Sequence, residues 1–306
     1  MSNHAQKSVS LRKVLITGAG GLLGTPTVKA FAACRATKAL GLGHRELDIT
    51  NAELVRSQVA AFGPDLVINC AAYTNVDACE TNEAAADRVN GEGAGNVARA
   101  AAACGAKLIH LSTDYVFDGS GSLPYTEDHP AGGPSQLCAY GRSKLLGEQC
   151  VRQNHPAAII VRTAWLYGHD GPCFPRAILN RARSAEPLRV VTDQIGSPTY
   201  APDLAAALCK LSDLDVAGFF HVTNADRCTW LDFSRAILQA AGLDVPIEGI
   251  TAADLNRPAK RPAFSILDNG RYIAATGSAL RPWREALSDY LASLPNTATP
   301  TGAGSA

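Results

Sequence analysis

Short apolar runs alternate with alanine-rich stretches of helical spacing along the first half of the chain. The helical stretches include Pro26–Cys34 and Glu83–Cys104. Strands that alternate with helices build parallel β-α-β units, and nearly continuous apolar strands fit a sheet that is covered on both faces. The rhythm therefore predicts an α/β fold with a doubly wound parallel sheet. The predicted strands are 14–17, 38–42, 66–70, 107–111 and 159–162.

Charge and composition exclude several classes of protein. Lys plus Arg and Asp plus Glu both number 28 in 306 residues, which argues against nucleic acid as the main partner because phosphate binding usually leaves a basic excess. No stretch approaches about 18 consecutive apolar residues, so we predict no membrane span. The nine cysteines are scattered and form no C-x-x-C, which favours buried thiols in a reducing cytoplasm over zinc or disulfides, with Cys138 as a packing residue.

A glycine cluster directly follows the first predicted strand. Gly18 permits a tight turn, Gly21 lets the backbone approach a pyrophosphate, and Gly24 lets the next helix pack on the sheet. The free amides at the start of that helix attract phosphate. Strand, loop and helix in this order favour dinucleotide binding by a Rossmann-like domain over a simple turn. Leu22 and Leu23 lie inside this loop.

The end of the second strand bears on the choice of cofactor. Gly-His-Arg stands where an acidic residue would hold the ribose 2′-hydroxyl of NAD, and Arg45 can meet the 2′-phosphate of NADP. A solvated surface arginine is an equally good interpretation of Arg45. We therefore favour NADPH, with NADH as the alternative. Asp48 and Ile49 are candidates for the adenine edge.

Small residues follow the third predicted strand. The segment runs Asn69, Cys70, Ala71, Ala72, Tyr73. A doubly wound sheet holds its ligand at the carboxyl ends of its strands, so we expect this segment to line the cofactor site. A tight strand-to-helix turn needs the same small residues, and the two interpretations are compatible.

A Tyr-x-x-x-Lys pair carries the predicted chemistry. Tyr140 and Lys144 share one face of a predicted helix. A free phenol has a pKa near 10, and a cation one turn away is expected to lower it into working range. Lys144 can also hold the nicotinamide ribose, and Thr113, at the end of the strand KLIHL, can hydrogen-bond a substrate carbonyl. Together these residues predict an oxidoreductase.

In these segments the sequence resembles the extended short-chain dehydrogenase/reductase superfamily, and within it the dTDP-4-dehydrorhamnose reductases. The two most specific phrases are STDYVFDG at 112–119 and DQIGSPTYAPDLA at 193–205. Other matching segments are VLITGAGGLLG at 14–24, ELDIT at 46–50, PDLVINCAAYTNVDACE at 64–80, RVN at 88–90, YGRSK at 140–144, VRTAWLYG at 161–168 and RPAFSILDN at 261–269.

The resemblance implies an activity and residue roles. The activity is NAD(P)H-dependent reduction of the C4 keto group of a dTDP-linked 4-keto-6-deoxy sugar, dTDP-4-dehydro-L-rhamnose, to dTDP-L-rhamnose. Thr113, Tyr140 and Lys144 would be catalytic, and Asn90 would support the lysine through water. The residues implied at the sugar are Thr113, Asp114, Tyr115, Trp165, Ile195, Ser197 and Thr199.

The expected organisation is an NAD(P)-binding Rossmann domain with a smaller C-terminal substrate-binding lobe. Prolines make the pattern irregular past about residue 170. We expect the chain to return to the first domain with helix Pro202–Leu211 and strand Phe219–Val222. The predicted ranges are 11–170 with 200–224 for the Rossmann domain, 171–199 with 225–294 for the second lobe, and 1–10 with 295–306 for flexible ends.

Departures from the family pattern keep alternatives open. The stretch 129–139 before Tyr140 is a few residues longer than usual, so a reductase of another nucleotide-linked keto sugar remains a competitor. A non-catalytic NADP-binding regulatory subunit, of the kind associated with methionine adenosyltransferase, is another. Leu22 and Leu23 provide no acidic metal ligand, so we predict no metal, and a monomer and a homodimer are equally favoured. The candidates for a diphosphate contact are Arg176, Lys260 and Arg261.

Overall fold

The structure is a computed structural model that describes residues 11–184 and 187–294. The strands are β1 Arg12–Thr17, β2 Thr37–Leu42, β3 Leu66–Asn69, β4 Lys107–Thr113, β5 Ile159–Thr163, β6 Leu166–Tyr167, β7 Leu188–Val191, β8 Ile195–Gly196, β9 Thr199–Tyr200, β10 Gly218–His221, β11 Cys228–Thr229 and β12 Ile247–Ile250. The helices are α1 Gly24–Ala33, α2 Ala52–Phe62, α3 Val76–Thr81, α4 Glu83–Ala86, α5 Ala94–Ala103, α6 Ala139–Asn154, α7 Phe174–Arg183, α8 Ala201–Ser212, α9 Trp230–Ala240, α10 Ala252–Leu255, α11 Gly270–Thr276 and α12 Trp283–Ala292.

Six strands of the described chain form one parallel sheet in the order β10-β5-β4-β3-β1-β2. Alternate residues of each strand face opposite sides. Val14 and Ile16 pack with α1 and α8, whereas Leu15 packs on the other face with α2 and α5. The α/β class and the doubly wound parallel sheet predicted from the sequence are confirmed.

Several elements differ in detail from the predicted ones. The predicted helix Glu83–Cys104 is interrupted by a π-helix over Asp87–Gly93, a form that sequence periodicity does not reveal. Strand β4 continues two residues beyond the predicted 107–111 and so carries Ser112 and Thr113. The sequence pattern ended the strand too early, because polar residues that follow an apolar run are also typical of turns.

A second apolar cluster lies outside the large sheet. It is formed around α7, α9 and α12, with Phe233 and Trp283 buried at its centre. The short sheets β7–β12 and β8–β11 border it. The predicted flexible ends, 1–10 and 295–306, lie outside the described residues. No helix in the described ranges has the length and apolarity needed to span a bilayer.

Candidate active site

The glycine loop after β1 is shaped by close backbone approaches. Gly18 has a φ of +65°, and a Cβ there would lie 2.6 Å from the amide nitrogen of Ala71. A Cβ on Gly24 would overlap the carbonyl oxygen of Gly18. Among the described residues no side chain caps α1, and its first turn holds no acid. The positive end of the helix dipole therefore lies, without a counter-charge on the helix, beside the ends of β1 and β3, an arrangement that suits a pyrophosphate.

The other residues predicted at the cofactor differ in their surroundings. The side chains of Leu23 and Ile49 are buried in the core on opposite faces of the sheet, so only their backbones can face a ligand. The Asp48 carboxylate accepts hydrogen bonds from the amide and hydroxyl of Thr50, which lower its pKa. Arg45 is exposed in the turn after β2.

Polar side chains link three neighbouring strands, β1, β3 and β4. The Thr17 hydroxyl donates to Asn69 Oδ1 at 2.6 Å, and Asn69 Nδ2 lies 3.1 Å from His110 Nδ1. Asn69 Oδ1 also accepts the amide of Ala71 at 3.2 Å. Because these groups are buried, their mutual hydrogen bonds offset the cost of removing them from water. They hold the small-residue turn 70–73 in place.

Asn90, in the π-helix, connects that turn to α6. Its side chain accepts the Tyr73 amide at 2.8 Å and donates to the Tyr73 carbonyl at 3.0 Å and to Ser143 Oγ at 2.9 Å. A Cβ on Gly147 would overlap the Asn90 carbonyl oxygen, so α6 and the π-helix meet at backbone distance. Asn90 thus lies next to the helix that carries Lys144.

Lys144 is almost fully buried, and its Nζ donates to the Leu111 carbonyl at 2.6 Å. Burial lowers the pKa of Lys144 to about 8, and the Glu148 carboxylate acts in the opposite direction. The charged form is therefore only weakly favoured at neutral pH. A buried ammonium of this kind is sensitive to every neighbouring charge.

Tyr140 lies in the first turn of α6, where Cys138 Sγ accepts the Gly141 amide at 3.5 Å. Burial raises the pKa of Tyr140, while a hydrogen bond with Thr113 lowers it. The net direction is opposite to the one expected from Lys144, because burial outweighs its neighbours. A neutral phenol is the form that donates a proton, so the raised pKa suits reduction of a carbonyl.

Thr113 and Asp114 stand at the end of β4. The Thr113 hydroxyl donates to Asp114 Oδ1 at 3.0 Å and accepts the Tyr115 amide at 3.3 Å. Burial raises the pKa of Asp114 to about 6, against hydrogen bonds from Ser265 and Thr113 that lower it. The Tyr115 ring packs edge-on against Tyr140 with 5.4 Å between ring centroids.

Arg261, which forms an ion pair with Asp77, lines a cavity of about 660 Å³, here called the basic pocket. Arg261 donates to both carboxylate oxygens of Asp77, at 3.0 and 3.2 Å. Burial raises the pKa of Tyr115, and the nearby charge of Arg261 opposes only part of that rise. Described residues that line the pocket include two aromatic rings and five cations and no carboxylate: Phe174, Trp230, Arg181, Arg189, Arg257, Lys260 and Arg261. A cavity with these walls suits a planar, anionic ligand.

Trp165 lies directly behind the pocket wall. Its backbone has a φ of +47°, and its ring stacks on Trp230 with centroids 3.4 Å apart. A Cβ on Gly196 would lie 2.5 Å from the Trp165 ring, which explains the glycine in the segment IGSPTY. Ile195, beside it, is half-buried. The strained backbone and the glycine together fix the position of the ring.

Three other predicted ligand contacts point into the protein. The Ser197 hydroxyl donates to the Asp226 carbonyl at 2.9 Å, and that of Thr199 donates to the Ser197 carbonyl at 3.4 Å. Arg176 Nη2 donates to the His169 carbonyl at 2.6 Å, and Arg176 does not belong to the described lining of the basic pocket. These groups hold loops together, whereas Lys260 and Arg261 line the pocket.

Sequence reasoning missed Asp77, Arg257 and Glu148. Asp77 and Arg257 lie 180 residues apart in the chain and meet at 3.5 Å, which no local pattern reveals. Glu148 had a signal, because Tyr140, Lys144 and Glu148 follow one another at four-residue spacing on a single helix face.

Fold and site define a class of protein, the short-chain dehydrogenase/reductases with a Rossmann-type NAD(P)-binding sheet. Three parts of the site lie at the carboxyl edge of this sheet: the glycine loop, the end of β4 with Thr113, and the face of α6 that carries Tyr140 and Lys144. The model of the family "RmlD substrate binding domain" matches residues 12–296, and the chain belongs to this family.

Named relatives and solved structures agree with this membership. The chain is 43% identical to a dTDP-4-dehydrorhamnose reductase of Streptomyces griseus, covering 92% of this chain and 93% of the relative. It is 42% identical to a probable dTDP-4,6-dihydroxy-2-methyloxan-3-one 4-ketoreductase of Streptomyces antibioticus, covering 89% and 92%. The crystal structure of dTDP-4-dehydrorhamnose reductase from Bacillus anthracis in complex with NADP superposes with a TM-score of 0.87 at 35% identity, covering 93% and 100%.

Proposed function

We propose that the protein reduces the C4 keto group of dTDP-4-dehydro-L-rhamnose to give dTDP-L-rhamnose, with NADPH as the reductant. One observation carries the proposal: Thr113, Tyr140 and Lys144 converge at the end of β4, and Tyr115 and Arg261 connect them to the basic pocket. Thr113, Tyr140 and Lys144 suit the reduction of a keto sugar, and the basic pocket suits the binding of a nucleoside diphosphate.

The chain's own residues supply proton donation and orientation. Tyr140, whose pKa is raised by burial, donates its proton to the oxygen that becomes an alkoxide at C4. The Thr113 hydroxyl, which donates to Asp114 Oδ1 in this structure, is assigned to turn toward the same carbonyl oxygen when the sugar is bound. Lys144 stabilises the phenolate that remains and holds the nicotinamide ribose. When bound, NADPH supplies the hydride.

The geometry of the glycine loop fits a dinucleotide. Side chains at Gly18 and Gly24 would collide with backbone, so these glycines allow the loop to pack tightly and bring the start of α1 close to the carboxyl ends of the strands, where a pyrophosphate is held. We assign the pyrophosphate to Gly18–Gly24 and the nicotinamide side to the 70–73 turn. Arg45, exposed after β2, is assigned to the 2′-phosphate, which favours NADPH over NADH.

The basic pocket is assigned to the dTDP moiety. The rings of Phe174 and Trp230 lie 4.3 Å apart at the pocket wall and offer apolar surface to the base. Arg261 and its cationic neighbours can meet the diphosphate. Trp165 is assigned to the sugar, because its ring stacks on Trp230 of the pocket wall.

The division into two lobes belongs to the same proposal. The range 11–170 with 200–224 binds the cofactor, and 171–199 with 225–294 binds the sugar nucleotide. Strand β10 joins the six-stranded sheet, and the aromatic cluster around α9 lies outside it. All nine cysteines are free thiols, which supports a reducing compartment, the cytoplasm.

Loss of NADPH absorbance with dTDP-4-dehydro-L-rhamnose tests the function. We expect turnover by the wild type and a loss of about 10²-fold or more in kcat for Tyr140→Phe, which keeps the ring and removes the acid. Affinity for NADPH should stay unchanged in this variant. A wild type that binds NADPH and leaves the sugar unreduced would refute the reductase and favour a regulatory subunit.

The relative from Streptomyces antibioticus bears the name of a reductase for a different dTDP sugar, so a panel of dTDP-linked keto sugars belongs in the same assay. The ratio of kcat/KM between sugars measures the preference. A higher kcat/KM for another keto sugar would replace the substrate and keep the reaction.

A further inference from the structure

We propose that Glu148 and Arg162 form a buried charge pair that sets the protonation of Lys144, so that both act as positioning residues for the reaction. The inference rests on the proposed function and assigns it two residues that touch neither cofactor nor substrate. Its basis is the arrangement of Lys144, Glu148, Arg162 and Ser112 across α6, β4 and β5.

The pair has full bidentate geometry in the protein interior. Arg162 Nε and Nη2 donate to the two oxygens of Glu148 at 2.8 and 2.7 Å. Ser112 Oγ donates to Glu148 Oε1 at 2.6 Å. Both charged side chains are at most 4% exposed. The Arg162 guanidinium lies 4.2 Å from the ring centroid of Phe219, which covers it.

The pair stands one helical turn from Lys144. Residues four apart on a helix face have Cβ atoms about 5–6 Å apart, so Glu148 is the natural partner of the lysine. Its carboxylate instead bonds Arg162 and Ser112, while Lys144 Nζ bonds the Leu111 carbonyl. Arg162 therefore keeps Glu148 from capturing the ammonium and leaves the negative charge near it.

Other titratable groups facing Lys144 are neutral near pH 7. Cys70, after β3, keeps its proton because burial raises its pKa to about 12. His110, on β4, is held neutral because burial places its pKa well below the ordinary value. Tyr140, on α6, has a raised pKa. Glu148 is therefore the charged side chain that raises the pKa of Lys144, and Arg162, which is paired with it, offsets that charge with the opposite sign.

Because Glu148 and Arg162 carry opposite charges, variants of the two residues should move the pH profile in opposite directions, which a purely structural role would not produce. Glu148→Gln keeps the shape and leaves the Arg162 charge unbalanced, so Lys144 loses its proton more easily. We expect the alkaline limb of kcat and of NADPH binding to move about one pH unit toward acid. Arg162→Met leaves Glu148 unbalanced and should move both limbs toward alkali. The double variant should lie near the wild type.

Glu53→Gln is the matched control, because it removes one carboxylate from an exposed pair with Arg56 and should move neither limb. Movement of both single variants in the same direction, or loss of activity with unmoved limbs, would overturn the proposal. If Glu148→Gln does not fold, Arg162→Met and the double variant still test it. NADPH binding is measured without sugar, so failure of the proposed reaction is distinguishable from failure of this inference.

Discussion

Arg261→Met should weaken binding of the sugar nucleotide while leaving the cofactor site intact. Arg261 lines the basic pocket, is 17% exposed, and donates two hydrogen bonds to the Asp77 carboxylate. Methionine keeps an apolar stem of similar reach and removes the charge. Asp77 would still be met by Arg257 at 3.5 Å and by the Ala259 amide at 3.3 Å, so the carboxylate is not left without a partner and the fold should survive.

The size of the effect follows from the contact that is lost. A hydrogen bond to a charged group contributes about 1.5–3 kcal/mol, and each 1.4 kcal/mol corresponds to a factor of about ten. The KM for the dTDP sugar should therefore rise about 10- to 150-fold. Because the diphosphate contact is the same in the ground state and the transition state, kcat should remain unchanged.

Steady-state rates at saturating NADPH measure this effect, and fluorescence titration measures the affinity for NADPH. Arg176→Met is the matched control, because Arg176 donates to the His169 carbonyl away from the pocket lining; its KM should stay at the wild-type value. Equal KM values for Arg261→Met and the wild type, or equal rises in both variants, would refute the assignment of the diphosphate to Arg261.

Three further predictions concern the cofactor and stability. Arg45→Ala should weaken NADPH by about 1.5–3 kcal/mol and leave NADH unchanged; equal losses in titrations with both would make Arg45 a bystander. The pKa of Lys144 is lowered from 10.5 to about 8 by burial, so the unfolded chain binds more protons in between and the free energy of unfolding rises with pH over that range. Urea titrations should show this rise reduced in Lys144→Met, and an identical rise would contradict the buried charge. Gly24→Ala should cost about 1–3 kcal/mol of stability because its Cβ overlaps Gly18, along with NADPH affinity; a thermal melt and a titration that match the wild type would contradict the close approach.

The sequence predicts the sheet and the candidate catalytic residues because both have local signals. Apolar runs mark the strands, and Tyr140 and Lys144 share a helix face. The basic pocket was only partly predictable, because Arg261 and Asp77 lie 184 residues apart in the chain and meet through tertiary packing. Ser197 and Thr199 lie in a specific motif, but their hydroxyls bond backbone carbonyls, a choice that depends on loop conformation.

The direction in which the pKa of Tyr140 is shifted could not be predicted from the sequence either. The four-residue spacing correctly predicts that a cation, Lys144, follows one turn later on the same helix. Burial, which raises the pKa of Tyr140, depends instead on the elements that surround the ring. Glu148 and Arg162 belong to the same category, since their pairing needs β5 and α6 side by side. Interactions between distant elements therefore decide the electrostatics of the site.

Transfer of deuterium from NADPH labelled at nicotinamide C4 tests the central claim most directly. The wild type is incubated with the two stereospecifically labelled forms of NADPH and with dTDP-4-dehydro-L-rhamnose, and the sugar product is examined by mass spectrometry and NMR. We predict that one of the two forms places one deuterium at C4 of dTDP-L-rhamnose, and that Tyr140→Phe makes this product at least about 10²-fold more slowly. No deuterium at C4 of the sugar from either form, or equal rates for the two proteins, would contradict the account.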